Sequence, residues 1–422
     1  MSIFLATVLG HHHHVFPKTS PWALVVPFSL IVFLVGVGDS LMSYIAPIYI
    51  ESHVADSGVM GIIIALSSLV GIFCDFTFSR IFKNKSHVFF FKTALIFALS
   101  YPILFLTLPP YYPVFVLGMI AWGIYYELLQ FADINFVDTQ VPKSHYANAW
   151  GILSSFRATA YFIGPVVAGL LLSLGQTSYV FVTAICFHLM AAFALTIFHR
   201  LAKSTPPIQP ASNNGSILLE LDAWFILFKK VWPVYFFLFL LFLVDSTYWT
   251  VGTLVSQDLL KSHSSGAFFL SAYSLPGLFM GLLLSRFGSP TGKKHLAFVM
   301  AMLSGIVLLG VGFVSHPLVI LLLIFCSSMF LAVSFPEIFA VFEDYINRLG
   351  SSKNDMIGLQ SSAISLAYIV GPIVSGFLAT IVGNQMVFTL LGVLLIAYSA
   401  FSLHLVPKKV HFPQQELQSL QS

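Results

Sequence analysis

Charged residues are scarce in this chain, and their scarcity argues against a water-exposed globular protein. Asp, Glu, Lys and Arg together make up 8% of the 422 residues, whereas 58% are hydrophobic. A soluble domain carries roughly 25% charged residues, so this chain has too few to cover a wet surface of its size. We therefore expect most of its surface to face lipid.

Cysteine is also sparse, which disfavours a disulfide framework or a zinc site. Cys74, Cys186 and Cys326 lie far apart in apolar runs, without a CxxC pair, and we interpret them as small apolar residues. Residues 11–14 are histidines, which we interpret as a polar tail. The sequence thus predicts no metal site and no cofactor.

Motifs typical of enzymes are lacking as well. The chain has no G-x-x-x-x-G-K-[ST] phosphate loop, no H-E-x-x-H zinc motif and no G-x-S-x-G nucleophile motif. These absences argue against a P-loop ATPase, a membrane protease and a lipase. We predict that the protein is not an enzyme and that it does not bind nucleic acid, because its net charge of +3 reflects cations placed by membrane topology.

Long apolar runs, in contrast, are abundant. A helix needs about 20 apolar residues to cross the hydrocarbon core, and runs that are continuous rather than alternating indicate helices. The predicted fold is an all-α membrane protein with twelve transmembrane helices. They cover residues 22–48, 58–79, 88–108, 111–136, 149–174, 177–198, 231–256, 265–285, 294–314, 317–342, 357–381 and 384–406.

The positions of Lys and Arg predict the orientation of these spans. When the loops are grouped alternately, nearly every cation falls on one side, and Lys261 alone falls on the other. Cytoplasmic loops carry the excess of Lys and Arg. We therefore expect a multi-pass protein, in the plasma (cell inner) membrane, with both termini in the cytoplasm.

A polar, proline-containing stretch divides the chain. The prediction is an N-terminal six-helix half over residues 1–198, a cytoplasmic linker over 199–230, and a C-terminal six-helix half with a tail over 231–422. Within the linker, residues 217–228 are apolar except for Glu220 and Asp222. This pattern predicts an interfacial helix on the cytoplasmic surface.

The two halves repeat each other. Residues 161–169 (YFIGPVVAG) match residues 368–376 (YIVGPIVSG), and Asp39-Ser40 matches Asp245-Ser246 in the same order along the chain. A duplicated six-helix unit is common among secondary transporters, in which two halves rock about a site near the midplane.

With this repeat, the sequence resembles the major facilitator superfamily over residues 22–406. The family's loop after helix 2 has the pattern G-x-x-x-D-R-x-G-R-[RK]. Residues 71–80 keep Gly71, Asp75 and Arg80, and the second half keeps Arg286 and Gly288. The resemblance implies that this loop is a gating latch on the cytoplasmic side. Alternatively, its cations only set the topology.

The glycine–proline element of the repeat resembles the motif of the drug:proton antiporter-like group of that family. The resemblance implies an antiporter, whereas recurrence of the element in both halves equally suggests helix packing or bending. Its residues are Gly164, Pro165 and Gly169 in the first half and Gly371, Pro372 and Gly376 in the second.

Ionisable residues inside the spans are the candidate substrate or proton site, because a charge in hydrocarbon is costly and usually faces a cavity or a partner. Asp39 and Asp245 lie near the middle of the first and seventh spans, and either could take up and release a proton. A pair of Arg157 with Asp133 or Glu127 would be structural or part of the site. The full set is Asp39, Asp245, Glu127, Asp133, Arg157 and Glu337.

Six aromatic residues near these acids could belong to the same cavity or be ordinary packing. Beside an acid, an aromatic ring could bind an organic cation, although it could equally stack on a sugar. The six are Tyr44, Trp122, Tyr125, Tyr126, Tyr248 and Trp249.

These features predict a secondary active transporter that works as a monomer by alternating access. The first hypothesis is proton-coupled efflux of small organic or drug-like molecules, with protons, the solute and the lipid bilayer as partners. The alternatives are proton-coupled or facilitated uptake of a sugar or another metabolite, and a receptor or scaffold that does not transport.

Overall fold

The computed structural model describes residues 22–82, 85–142, 145–201, 217–287, 292–349, 353–407, 410 and 412. Among these residues the long elements are twelve α-helices, and they confirm the predicted all-α fold of twelve spans. They are α1 (Trp22–Val54), α2 (Ser57–Ile81), α3 (His87–Thr107), α4 (Tyr112–Gln140), α5 (Tyr146–Ser173), α6 (Ser178–Leu201), α7 (Ile217–Ser262), α8 (Phe269–Phe287), α9 (Lys293–Leu308), α10 (Pro317–Arg348), α11 (Lys353–Val382) and α12 (Asn384–Leu405).

Length and composition make eleven of the described helices able to cross a membrane. The remaining helix, α8, has 19 residues and occupies the position of the predicted eighth span. Two 3₁₀ segments, Ser264–Phe268 and Val311–Phe313, complete the helical structure. The chain is thus a multi-pass integral membrane protein.

Local sequence explains where several helices begin and end. Asp56 caps α2 by accepting a hydrogen bond from the backbone N–H of Val59 at 3.0 Å. Ser86 caps α3 in the same way. Gly175 and Gly383 have φ of +86° and +87°, which suits glycine at the tight turns that follow α5 and α11. The second turn therefore repeats the first.

Helix α7 departs from the expectation at its start. The interfacial helix expected over residues 217–228 is not a separate element, because α7 runs unbroken from Ile217 to Ser262. Leu227 and Val231 are fully buried in the core, and the indole of Trp224 lies against Gly358 of α11. This packing holds the segment in line with the span. Residues 202–216 of the predicted linker and the histidines at 11–14 lie outside the described residues.

The helices form two similar bundles, one from α1–α6 and one from α7–α12. In the first, α1 packs on α5 and α6, and in the second, α7 packs on α11 and α12. The bundles meet through α2 with α11, α5 with α8, and α1 with α7. We call the side where α1 begins and α12 ends the terminal face, and the other side the opposite face.

Candidate functional site

A cavity of about 310 Å³ lies between the two bundles. Helices α1, α2, α4 and α5 line it from the first bundle, and α7 and α11 line it from the second. Its polar and aromatic lining consists of Ser43, Ser67, Ser68, Trp122, Tyr126, Glu127, Gln130, Tyr161, Ser246, Trp249, Thr250, Ser365 and Tyr368.

Hydrogen bonds between the bundles close the cavity at the opposite face. The hydroxyl of Tyr44 lies 2.7 Å from Ser256 Oγ, and the backbone N–H of Gly58 donates to Thr380 Oγ1 at 3.2 Å. Ser271 Oγ donates to the carbonyl of residue 162 at 3.1 Å. These three bonds join the two bundles, and all three lie toward the opposite face.

Glycines bring the bundles into close contact at the same level. A Cβ atom on Gly61 would overlap the carbonyl of Pro372, and one on Gly376 would overlap the carbonyl of Ser57. Gly169 lies equally close to Ala267. Small residues allow helices in lipid to approach this closely. With the opposite face sealed, the cavity faces the terminal side, where Gln130 is exposed in its wall.

Asp39 lies directly behind the cavity wall. Its side chain is 2% exposed. Trp122 Nε1 donates to Oδ1 at 2.8 Å, and the hydroxyl of Tyr126 donates to Oδ2 at 2.9 Å. The hydroxyl of Tyr161 also donates to Oδ2. Because all three donors line the cavity, a single side chain separates the carboxylate from a solute.

Asp245 has a corresponding arrangement in the second bundle. The hydroxyls of Tyr273 and Tyr368 donate to its two carboxylate oxygens, and Tyr368 lines the cavity. Tyr368 is the repeat counterpart of Tyr161. Each half therefore holds its mid-span aspartate with the tyrosine that opens the repeated motif.

The serine after each aspartate reinforces this symmetry. Ser40 Oγ donates to the carbonyl of residue 160 at 3.1 Å, and Ser246 Oγ donates to that of residue 367 at 3.3 Å. A Cβ atom on Gly164 or Gly371 would overlap these serine hydroxyls. The repeated glycine thus lets α5 and α11 approach α1 and α7 closely enough for the tyrosines to reach the acids.

Glu127 is the candidate acid that itself lines the cavity. It is half-buried on α4, facing Gly71 of α2, where a Cβ atom would come within 2.9 Å of Oε1. Within the described part of the chain its carboxylate has no hydrogen bond and no ion pair. Asp75 is close enough to repel it. The cavity wall therefore presents an acid to whatever enters.

The other predicted site residues lie outside the cavity lining. Arg157 forms a charged hydrogen bond with Asp133, whose side chain is 2% exposed, while that of Arg157 is 42% exposed. Glu337 is buried on α10 at 7% exposure, near Lys293. The structure thus separates the six candidates into one wall acid, two acids behind the wall, an ion pair and a remote acid.

The gating-loop residues are only partly described. Gly71 lines the cavity and Asp75 is exposed. The side chains of Arg80 and Arg286 and the whole of Gly288 lie outside the described residues. The latch stays a prediction.

The chain that forms these two bundles and the cavity between them matches the sequence profile of an established family along most of its length. The sequence profile of the Major Facilitator Superfamily matches residues 28–353 and 234–420. The chain belongs to this superfamily. Members are membrane transporters of small solutes, and no curated protein is significantly similar to this chain in sequence.

Solved structures of other superfamily transporters share the fold. A POT family transporter in complex with a thioalcohol-conjugated peptide has a TM-score of 0.71 at 14% identity, covering 91% of this chain and 96% of that one. The nucleoside transporter NupG has a TM-score of 0.65 at 14% identity, covering 90% and 98%. The human organic anion transporter MFSD10 (TETRAN) has 0.62 at 15%, covering 89% and 98%.

Several cavity residues of this superfamily member were not singled out as site residues from the sequence. Tyr161 and Tyr368 appeared only as part of the repeat, and Ser43, whose buried hydroxyl has no partner, gave no signal. The shared spacing of aspartate and tyrosine in the two halves was the signal that could have found the tyrosines. Of the six aromatic candidates, Trp122, Tyr126 and Trp249 line the cavity.

Proposed function

We propose that this chain is a secondary active transporter that exchanges protons for a small organic cation by alternating access. The observation that carries the proposal is Glu127, an acid in the cavity wall with no partner among the described residues. The nearby cation Arg157 is already committed to Asp133. A carboxylate in such a place is neutralised by a proton or by a cationic solute.

Competition between these two ligands favours exchange over co-transport. If a proton and a cation bind the same carboxylate, they cannot cross together in one cycle. Two aromatic side chains, those of Trp122 and Tyr126, line the cavity beside Glu127. Their ring faces attract a desolvated cation. The chemistry of the wall thus suits an organic cation of modest size.

The two aspartates behind the wall would couple the exchange to the opening and closing of the cavity. Asp39 and Asp245 contact the cavity through the hydroxyls of Tyr161 and Tyr368. A solute that accepts a hydrogen bond from either tyrosine would withdraw a donor from the aspartate behind it. The charge on that aspartate would then respond to occupancy of the cavity.

The direction follows from the predicted topology. If the Lys- and Arg-rich terminal face is cytoplasmic, the cavity opens to the cytoplasm, loads a solute there and returns with a proton from outside. An inward proton gradient would then drive efflux, with the protein in the plasma membrane and each chain acting as a monomer.

A second candidate is uptake of a neutral polar metabolite. The specific observation in its favour is the number of hydroxyl groups in the wall, which suit hydrogen bonding to an uncharged polar solute. They belong to Ser43, Ser67, Ser68, Ser246, Thr250 and Ser365.

The test uses proteoliposomes that contain a pH-sensitive dye and are challenged with organic cations, nucleosides, sugars and peptides. Exchange predicts that an organic cation moves protons in the opposite direction, and that Glu127→Gln abolishes this movement. Glu343→Gln, which changes an exposed acid on α10 outside the cavity, is the control and should behave like the wild type.

Other outcomes would contradict the proposal. Protons that accompany a neutral solute in the same direction would establish uptake instead. A solute that binds but produces no flux under any gradient would indicate a receptor with the transporter fold.

A further inference from the structure

The tyrosines of the cavity wall donate their hydroxyl hydrogens away from the cavity. Tyr126 and Tyr161 donate to Asp39, and Tyr368 donates to Asp245. The hydroxyls of Tyr126 and Tyr161 also contact each other. A tyrosine hydroxyl has a single hydrogen, so none of the three has one left for a solute while the aspartates are ionised.

Other polar side chains of the wall have also used their hydrogens. The hydroxyls of Ser67, Ser246 and Thr250 donate to carbonyls of their own helices at 2.8, 2.9 and 2.8 Å. The indole of Trp122 donates to Asp39 at 2.8 Å. The wall therefore offers few donors to a solute, and those that stay unbonded among the described lining residues include Ser68, Ser365 and Gln130.

Two prolines, in contrast, free backbone acceptors. Pro47 lies inside α1 and Pro372 inside α11, and both helices run unbroken past them. Proline has no backbone N–H, so the carbonyl four residues earlier loses its helical donor. The carbonyls concerned are those of Ser43 and Tyr368, and within the described part of the chain no side chain donates to either.

Both freed carbonyls lie on the cavity face of their helices. Residues four apart in a helix lie one above the other on the same face. Ser43 and Pro47 both line the cavity, and so do Tyr368 and Pro372. Each freed carbonyl points along the helix between the two members of its pair, and each bundle contributes one. A backbone polar group inside the membrane requires a partner, and a donor within the cavity can supply it.

We propose that the transported cation carries N–H donors on its charged group, as protonated amines, amidines and guanidines do, and that quaternary ammonium ions are disfavoured. This specificity rests on the proposed function, in which a cation neutralises Glu127. The carboxylate of Glu127 attracts the charge, and the carbonyls of Ser43 and Tyr368 accept N–H groups of the same solute. A quaternary ion has the charge but leaves both carbonyls without a donor.

The test uses the purified full-length protein and a series of phenethylammonium ions. Successive N-methylation from phenethylammonium to N,N,N-trimethylphenethylammonium keeps the ring and the charge and removes the N–H donors one by one. Isothermal titration at a pH where every member is charged gives the dissociation constants. We expect affinity to fall along the series, with the trimethyl ion bound at least about tenfold more weakly than phenethylammonium.

Proline variants test the carbonyls directly. Pro47→Ala and Pro372→Ala each return a backbone N–H to the freed carbonyl. Each should weaken binding of phenethylammonium about tenfold and leave binding of the trimethyl ion unchanged. A general effect on folding would alter both ligands together, so the ratio of the two affinities isolates the carbonyl.

Pro102→Ala is the matched control. Pro102 is a buried proline inside α3, and neither it nor Ala98, whose carbonyl it frees, lines the cavity. This variant should keep the wild-type preference for N–H donors.

The possible results separate this specificity from the proposed function. Equal affinity along the series, abolished by Glu127→Gln, would overturn the specificity and leave cation exchange standing. Absence of binding by every member would overturn both. A wild-type preference in both Pro47→Ala and Pro372→Ala would show that the carbonyls do not accept from the solute. Competition by Na⁺ that either variant removes would assign the carbonyls to a metal ion and equally overturn the proposal.

Discussion

At the scale of single residues, the acids inside the membrane differ in what stabilises them. Asp133 is held by a cation, Arg157, whereas Asp39 and Asp245 are held by neutral aromatic donors. A neighbouring cation favours the charged form of a carboxylate, whereas a carboxylate held by neutral donors can accept a proton and keep part of its contacts. This difference, which is invisible in the sequence, separates a structural acid from a candidate transport acid.

Asp39→Asn tests the aromatic cluster. An amide keeps one acceptor oxygen and places an NH₂ group toward a donor, so we expect a loss of about 1–3 kcal/mol in stability together with loss of proton movement. Melting temperature and flux in proteoliposomes measure the two effects. Glu343→Gln, which changes an exposed acid on α10 outside the cavity, is the control and should cost less than about 1 kcal/mol.

Arg157→Gln tests the ion pair. It leaves the buried carboxylate of Asp133 without its cation, and we expect a loss of about 3 kcal/mol, at the lower end for a buried pair because the guanidinium is partly exposed. Thermal unfolding in detergent measures it. Adding Asp133→Asn should recover part of the loss, and a double variant less stable than the single one would contradict a mainly structural pairing.

At the scale of elements, α2 and α11 form the seal at the opposite face. Gly58 donates to Thr380, while Gly61 and Gly376 allow the two helices to touch through their backbones. A contact built on glycines is close but adds few side-chain interactions. Such a contact can separate and re-form as a unit, as alternating access requires.

Gly376→Val should weaken this seal, because the added side chain meets the carbonyl of Ser57. In a background without native cysteines, Ser43→Cys in the cavity wall should react faster with a membrane-impermeant thiol reagent applied to the opposite face. Gly151→Val is the matched control, since a Cβ atom there meets nothing within 4 Å. An unchanged labelling rate in Gly376→Val would argue against this contact as the seal.

At the scale of the whole molecule, the two bundles touch on one side and enclose a cavity that faces the other. The contacts come in pairs related by the internal repeat: α2 meets α11 and α5 meets α8. A rotation of one bundle against the other would exchange the open and the closed face. The described structure thus represents the state open at the terminal face.

Accessibility from the two faces tests this state and its predicted orientation. In sealed vesicles, Gln130→Cys in the cavity wall should react with an impermeant thiol reagent from the cytoplasmic side, and a transported solute should slow the reaction. Ser52→Cys, exposed near the end of α1 at the opposite face, should react only from outside. The reverse pattern for both positions would show that the predicted topology is inverted.

The sequence by itself determined the number of spans, their order and the duplication. Hydrocarbon thickness sets the length of an apolar run, and turn residues such as Gly175 mark the breaks between runs, so α5, α6, α11 and α12 lie within a few residues of their predicted bounds. Helices α7 and α10 extend beyond their predicted bounds. A helix can continue outside the hydrocarbon core, and the length of an apolar run does not predict that part of it.

Only the tertiary structure decided which side chains meet. Helices that are apolar on nearly every face show no stripe from which their rotation could be read, so the sequence could not tell that Glu127 lines the cavity while Glu337 does not. The partners of Asp39 and Asp245 come from other helices, more than 80 residues away for Trp122 and Tyr161. Those contacts depend on how closely the repeated glycines let the helices approach, which is a property of packed pairs and not of any one segment.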